Sequence, residues 1–186
     1  MFCLLFLEFW HLSPVGGFGL DFQDKKTHVN PRKCSIWCVS DVKVDLYLCG
    51  VKGFAAAKFL LENHKSLIGN VTLAPDSGTI DDPLESMVKL FEQFNIRTTL
   101  NDPGRISELA IAVGWKKLIE ANYSQVIVIH DSLLPKYRGF NPLLTALING
   151  DTRIGATALI ATDEVDAGPI IAQEAKSIKY PMKLED

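Results

Sequence analysis

The sequence predicts a doubly wound α/β domain in three layers around a mostly parallel sheet. From Val44 onward, short apolar runs alternate with stretches of helical period, and Gly, Asn, Asp and Pro punctuate the joins. The chain has 186 residues, the size of one domain with a short appendage. At 47% hydrophobic and 22% charged it has the balance of an ordinary globule, which excludes a coiled coil, a collagenous rod or a disordered tail.

The elements follow in order. VDLYLC, 44–49, is an apolar run closed by Gly50, and a helix is expected over 53–63. LIGNVTL, 67–73, is the second strand. A helix over 83–94 follows, with Pro83 at its first position after Asp82. IRTT (96–99), ELAIAV (108–113) and QVIVIH (125–130) are the next strands, with a helix at 115–121 before the last of them. A helix at 141–149 and strands at 154–161 and 170–175 complete the pattern. Strands alternating with helices of this length call for parallel pairing through helical crossovers. Ligands of such sheets lie beyond the carboxyl ends of the strands, which singles out three junctions: Gly50 to Gly53, Val113 to Trp115, and His130 to Gly139.

Residues 1–43 lack this logic and read as an N-terminal extension, with 44–186 as the domain proper. The opening MFCLLFLEFW has no basic leader, carries Glu8 within its apolar run and is too short to span a bilayer, so neither a signal peptide nor a membrane segment is expected. The formal charge of −3 argues against a chain built chiefly to neutralise phosphates. Cys3, Cys34, Cys38 and Cys49 are too few and too irregular for a disulfide scaffold, which suggests a reducing compartment. Cys34 and Cys38 have no second Cys or His pair at zinc spacing, so no metal is expected.

GVKGFA, 50–55, opens a helix after a strand and reads either as a plain tight turn or as a weak anion site, lacking the third glycine of a dinucleotide fingerprint. His130 is predicted at a strand's carboxyl edge, where an imidazole titrates near neutral pH and can face a ligand. The loop after it holds Pro135, Lys136, Arg138 and Gly139, which read equally as a solvated basic turn or as the wall of a site. Downstream, Asp163, Glu164 and Asp166 lie in a loop whose exit Gly168 and Pro169 fix. A carboxylate from this loop reaching His130 would make an acid/base pair; an ordinary charged surface loop is the alternative.

HDSLLPKYRG (130–139), NGDTRIGATAL (149–159) and DAGPII (166–171), in this order and spacing, resemble the folate-dependent formyltransferases that act on methionyl-tRNA, glycinamide ribonucleotide or nucleotide-linked amino sugars. LYLCGVKGFAAAKFLL and AVGWKKLI extend the resemblance more weakly to about 44–180. It implies a Rossmann-like fold, cytoplasmic one-carbon chemistry, and 10-formyltetrahydrofolate as formyl donor to an amine acceptor, a small molecule or a tRNA-linked amine. His130 and Asp166 would be the catalytic pair. The family's asparagine, two residues before the histidine, is Val128 here. The donor would lie along Val113, Gly114 and Trp115 and against Asp163. Ser132, Leu133, Pro135, Arg138 and Gly139 would border the acceptor, with Arg138 suited to a phosphate.

Two alternatives stand beside this: a weakened domain that binds folate or nucleotide, suggested by Val128 and an incomplete carboxyl-terminal end, and hydrolysis of the donor by the same His130 and Asp166 with water as nucleophile. An incomplete carboxyl-terminal end of the domain is also expected, with self-association through an open sheet edge.

Overall fold

The computed structural model describes residues 42–77, 80–100, 107–119 and 123–180. Cys3, Cys34, Cys38 and most of the extension assigned to 1–43 lie outside the described residues. The elements are β1 (Val44–Cys49), α1 (Gly50–Asn63), a 3-10 turn (Lys65–Leu67), β2 (Ile68–Ala74), α2 (Leu84–Gln93), β3 (Thr98–Thr99) and β4 (Leu109–Val113). They continue with β5 (Gln125–His130), α3 (Pro142–Ile148), β6 (Arg153–Ile160) and β7 (Ile170–Ser177). The strands form one seven-stranded sheet in the order β3-β2-β1-β4-β5-β6-β7.

The first five strands run parallel, with β1 paired to both β2 and β4. Strand order therefore reverses between β1 and β4, which is where the ends of two parallel strands open a crevice. The sheet is mostly parallel, as the sequence pattern predicts, and β5 to β6 and β6 to β7 are its antiparallel pairs. Only the loop between β6 and β7, with no helix in it, joins the last two, and a connection of that kind returns the chain antiparallel.

Alternation along β1 sends its side chains to two different layers. Leu46 and Leu48 join Ala56, Ala57 and Leu61 of α1 and Met87 and Phe91 of α2 in a buried cluster. Tyr47 faces the other way, against Ala110, Ala112, Trp115, Tyr123 and Val128. Of the helix expected at 115–121, residues 115–119 are irregular, and 120–121 lie outside the described residues. Both ends of this short crossover are pinned to the sheet, Trp115 edge-on to Tyr47 with ring centroids 5.1 Å apart and Tyr123 bonded to Asp45 at 3.0 Å. A helix would have to release one anchor.

Smaller shifts have local causes. Pro83 precedes α2 rather than opening it, because Asp82 Oδ1 accepts the Leu84 N–H at 3.2 Å. β7 forms one outer strand of the sheet, with Ile170 and Ile171 half exposed.

Candidate active site

β5 delivers His130 to the carboxyl edge of the sheet, where the side chain is only 8% exposed. Its Nε2 lies 2.8 Å from the carbonyl oxygen of Tyr137, and its Nδ1 lies 3.3 Å from Asp166 Oδ2. A carbonyl can only accept, so Nε2 is the donor to Tyr137, and Nδ1 is the ring nitrogen that faces the carboxylate. The same Asp166 oxygen accepts the Gly139 N–H at 2.8 Å. The backbone of Tyr137 (φ 59°) and of Asp166 (φ 51°) is left-handed, a conformation ordinary side chains adopt rarely. Both partners of the histidine thus sit where the local backbone is unusual.

The packing explains how this is held. Thr157, fully buried opposite His130 on β6, donates its hydroxyl to the Ser132 carbonyl at 2.6 Å. It accepts from the Leu134 N–H at 3.2 Å and from Gln173 Nε2 at 2.9 Å, while Gln173 also reaches the Leu134 carbonyl at 2.8 Å. Ser132 closes the turn from within, donating to the Lys136 carbonyl at 2.6 Å. On the other side, a Cβ at Gly168 would overlap the Ile160 carbonyl oxygen, so only glycine lets the loop before β7 fold down on the end of β6. That fold carries Asp166 to His130.

Of the three loop carboxylates, Asp166 is the one on His130. Asp163 is exposed, and Glu164 pairs with Arg138 at 3.3 Å. Pro135 and Arg138 are exposed on the loop surface, whereas Ser132 is buried and its hydroxyl is engaged within the turn. Leu133 packs against the space left by Gly155 on β6. Val113 is buried in the core, so only its backbone lines the crevice end. Gly114 (φ 65°) passes so close to the Cys49 carbonyl that a Cβ would overlap it, joining β4 to β1 at the point of strand reversal. The indole Nε1 of Trp115 is buried and has no hydrogen-bond partner among the described residues.

Sequence reasoning did not single out the ion pairs around this end of the sheet, Lys52 with Asp131 and Lys116 with Asp76, the latter at 2.6 Å. Their hydrogen bond and charge hold the Lys116 ammonium above its usual pKa, and burial, aided by Asp76, pushes the Cys49 thiol up. Lys and Asp placed just after strands were the available signal. Tyr137, Thr157 and Gln173 left no comparable mark.

Fold and site together define an α/β protein with a strand-edge histidine–carboxylate pair beside the reversal point of a mostly parallel sheet. The formyl transferase family model matches residues 106–185, the segment that contains the pair. Methionyl-tRNA formyltransferase of Fusobacterium nucleatum is 43% identical over 63 residues, covering 34% of this chain and 20% of the relative. That of Thermodesulfovibrio yellowstonii is 41% identical over 76 residues, covering 38% and 25%. The chain thus spans about a quarter or less of these curated relatives.

Among solved structures, phosphoribosylglycinamide formyltransferase from Bacillus halodurans superposes with a TM-score of 0.60 at 22% identity, over 77% of this chain and 84% of that one. A formyltetrahydrofolate deformylase from Pseudomonas syringae does so with 0.60 at 20% identity, over 78% and 55%. A sugar 3N-formyl transferase, solved with dTDP and 5-N-formyl-THF, gives 0.57 at 23%, over 74% and 52%. At these identities the likeness is one of fold. Among the described residues no helix is long and apolar enough to cross a membrane.

Proposed function

We propose that residues 44–186 form a catalytic domain that moves a formyl group from 10-formyltetrahydrofolate to an amine, with 1–43 outside it. The observation that carries this reading is the His130–Asp166 pair, 3.3 Å apart, within the segment that matches the family. The amine attacks the donor's formyl carbon, oxyanion character develops on the formyl oxygen, and collapse of the tetrahedral centre breaks the bond to the folate nitrogen, which leaves with a proton equivalent to the one the attacking amine gives up.

The chain's own groups suit that change of charge. His130, held between the Tyr137 carbonyl and the Asp166 carboxylate, is a polar group oriented in advance at the crevice edge, and a group already in place costs no reorganisation when the oxyanion forms. Asp166 orients the ring and offers a carboxylate to the proton leaving the amine. Val113, Gly114, Trp115 and Asp163 border the donor in this reading, and the buried indole N–H of Trp115, unpartnered among the described residues, fits a ligand acceptor there. Ser132, Leu133, Pro135, Arg138 and Gly139 form the acceptor side. Arg138, held at the surface by Glu164, would exchange that carboxylate for an acceptor phosphate. The acceptor is then methionyl-tRNA, a nucleotide-linked amino sugar or a ribonucleotide amine.

A second reading has its own observation. Val128 packs in the Tyr47 cluster where the family carries an amide, so a domain that binds folate or nucleotide without efficient transfer also suits this site. Incubating the chain with 10-formyltetrahydrofolate, with and without each amine, separates the readings. Formyl appearing on one amine supports transfer, and release to water alone supports hydrolysis. Binding without turnover supports the weakened domain. Loss of turnover in His130→Ala is the expected control, and full activity in that variant removes the catalytic assignment. We further place the protein in the cytoplasm and propose the β7 edge as its self-association surface, which sedimentation velocity of the wild type and an Ile171→Lys variant would compare.

A further inference from the structure

Tyr137 has three attachments that together point at His130. Its phenol donates to Asp151 Oδ2 at 2.9 Å and accepts from Asn149 Nδ2 at 3.2 Å. Its ring packs with Ala146, Ile154 and Ile178. Its carbonyl receives the His130 Nε2–H at 2.8 Å. Between ring and carbonyl the backbone is left-handed, with φ at 59°. For a bulky aromatic this conformation is unfavourable and persists only where the surroundings over-determine it.

Asp151 is suited to that task because it is itself fixed. Its N–H donates to the Ala146 carbonyl at 3.0 Å at the end of α3, and its own carbonyl accepts the Tyr180 hydroxyl at 3.0 Å. Lys136 Nζ, 3.8 Å from the same carboxylate oxygen, is exposed and adds little directional restraint. A rigid helix end therefore holds a phenol, the phenol holds a strained peptide, and that peptide's carbonyl holds the imidazole.

We infer that Tyr137, anchored by Asp151, is a positioning residue that fixes the orientation of His130 and keeps its Nε2 protonated. Asp166 alone would leave the ring free to turn about its Cβ–Cγ bond and present either nitrogen to the carboxylate. With Nε2 committed to the Tyr137 carbonyl, Nδ1 is the nitrogen left to Asp166. This deepens the proposed function and rests on it only for its kinetic consequence, since the ring's hydrogen bond is measurable without turnover.

The test uses the full chain labelled with ¹⁵N. Side-chain nitrogen spectra give the state of each histidine, and His130→Gln assigns the His130 signals. The wild type is expected to show a proton on Nε2 protected from exchange with water. In Tyr137→Phe the ring packing is kept and the anchor lost, so that exchange is expected to accelerate about tenfold, the loss of roughly one net hydrogen bond. Asp151→Asn keeps an acceptor for the phenol and should retain protection, whereas Asp151→Ala should match Tyr137→Phe and serves in its place if that variant fails to fold.

Unchanged Nε2–H exchange in folded Tyr137→Phe and Asp151→Ala, or a wild-type His130 without a proton on Nε2, would overturn the inference. If formyl transfer is observed, kcat should fall about tenfold in Tyr137→Phe with KM held, and recover in Asp151→Asn, as expected for misplacing a reacting group rather than losing a substrate contact. A wild type with a protected Nε2–H and no turnover would count against the proposed function and leave the positioning role standing.

Discussion

Val128 and His130 point to the same face of β5, and between them they determine how polar the crevice edge is. Val128 stands opposite Ala112 on β4 and Leu159 on β6, while His130 stands opposite Thr157. An asparagine at position 128 would therefore project from the same face as the imidazole, one pleat further from the strand's end.

Val128→Asn should place an amide donor beside the imidazole. Removing one such donor from an oxyanion site typically costs about 10²–10³ in rate, which sets the largest gain to expect. The same substitution puts an amide into the Tyr47 cluster and should lower stability by about 1–3 kcal/mol. A formyl-transfer assay alongside a thermal melt checks both. No gain in rate in a folded variant would mean that the amide cannot reach the reacting centre or that the oxyanion is held elsewhere.

Asp166→Asn should separate charge from shape. The amide oxygen can still accept the Gly139 N–H, so the loop stays in place, but the negative partner of His130 is gone. Turnover should fall by about 10²–10⁴ with only a small change in melting temperature. Glu164→Gln is the matched control, since Glu164 is exposed and contacts Arg138 rather than the histidine. Equal losses in the two variants would show that general loop charge, and not the pair, matters.

Thr157→Val should act on stability first. Its hydroxyl serves the Ser132 carbonyl, the Leu134 N–H and Gln173 at once, in a fully buried position. Valine keeps the volume and leaves those groups short of partners, a loss of about 2–4 kcal/mol measurable by urea unfolding. A change below about 0.5 kcal/mol would mean that Gln173 alone holds the loop.

The legible and illegible parts of this protein divide by the range of the interactions involved. VIVIH announces a strand that ends in a histidine, because a β-branched run and a polar stop are local features. Gly168 was legible as a loop exit, and the structure gives the reason in the closeness of the Ile160 carbonyl. The irregular 115–119 segment was not legible: WKKLI has helical composition, and what overrides it is the docking of Trp115 and Tyr123 on Tyr47 and Asp45, residues far away in sequence. Nor does Thr157 within a run of small apolar residues disclose that it braces a loop 23 to 25 residues earlier in the chain. His130 and Asp166 were paired through the motif, but the choice of Asp166 over Asp163 and Glu164 is made physically by a left-handed turn at Asp166 itself.

Tyr123 gives a pH-dependent prediction independent of the active site. Its phenol is taken out of water, and hydrogen bonds to Tyr47 and to the Asp45 carboxylate further favour the protonated form, so its pKa lies well above the usual tyrosine value of 10.0. Unfolding returns the phenol to that ordinary value. Above about pH 10 the unfolded chain therefore binds fewer protons than the folded one, and stability must fall as pH rises through that range. Below it both states keep the proton and the contribution is constant. Tyr123→Phe should be less stable near neutral pH, since the Asp45 carboxylate loses a donor, yet its stability should decline less steeply from pH 10 upward than that of the wild type. Urea midpoints across that range decide the matter: parallel declines in the two proteins would mean that Tyr123 ionises in the folded state as it does in water, and that Asp45 is held by the Ser107 hydroxyl and the Asn70 amide without it.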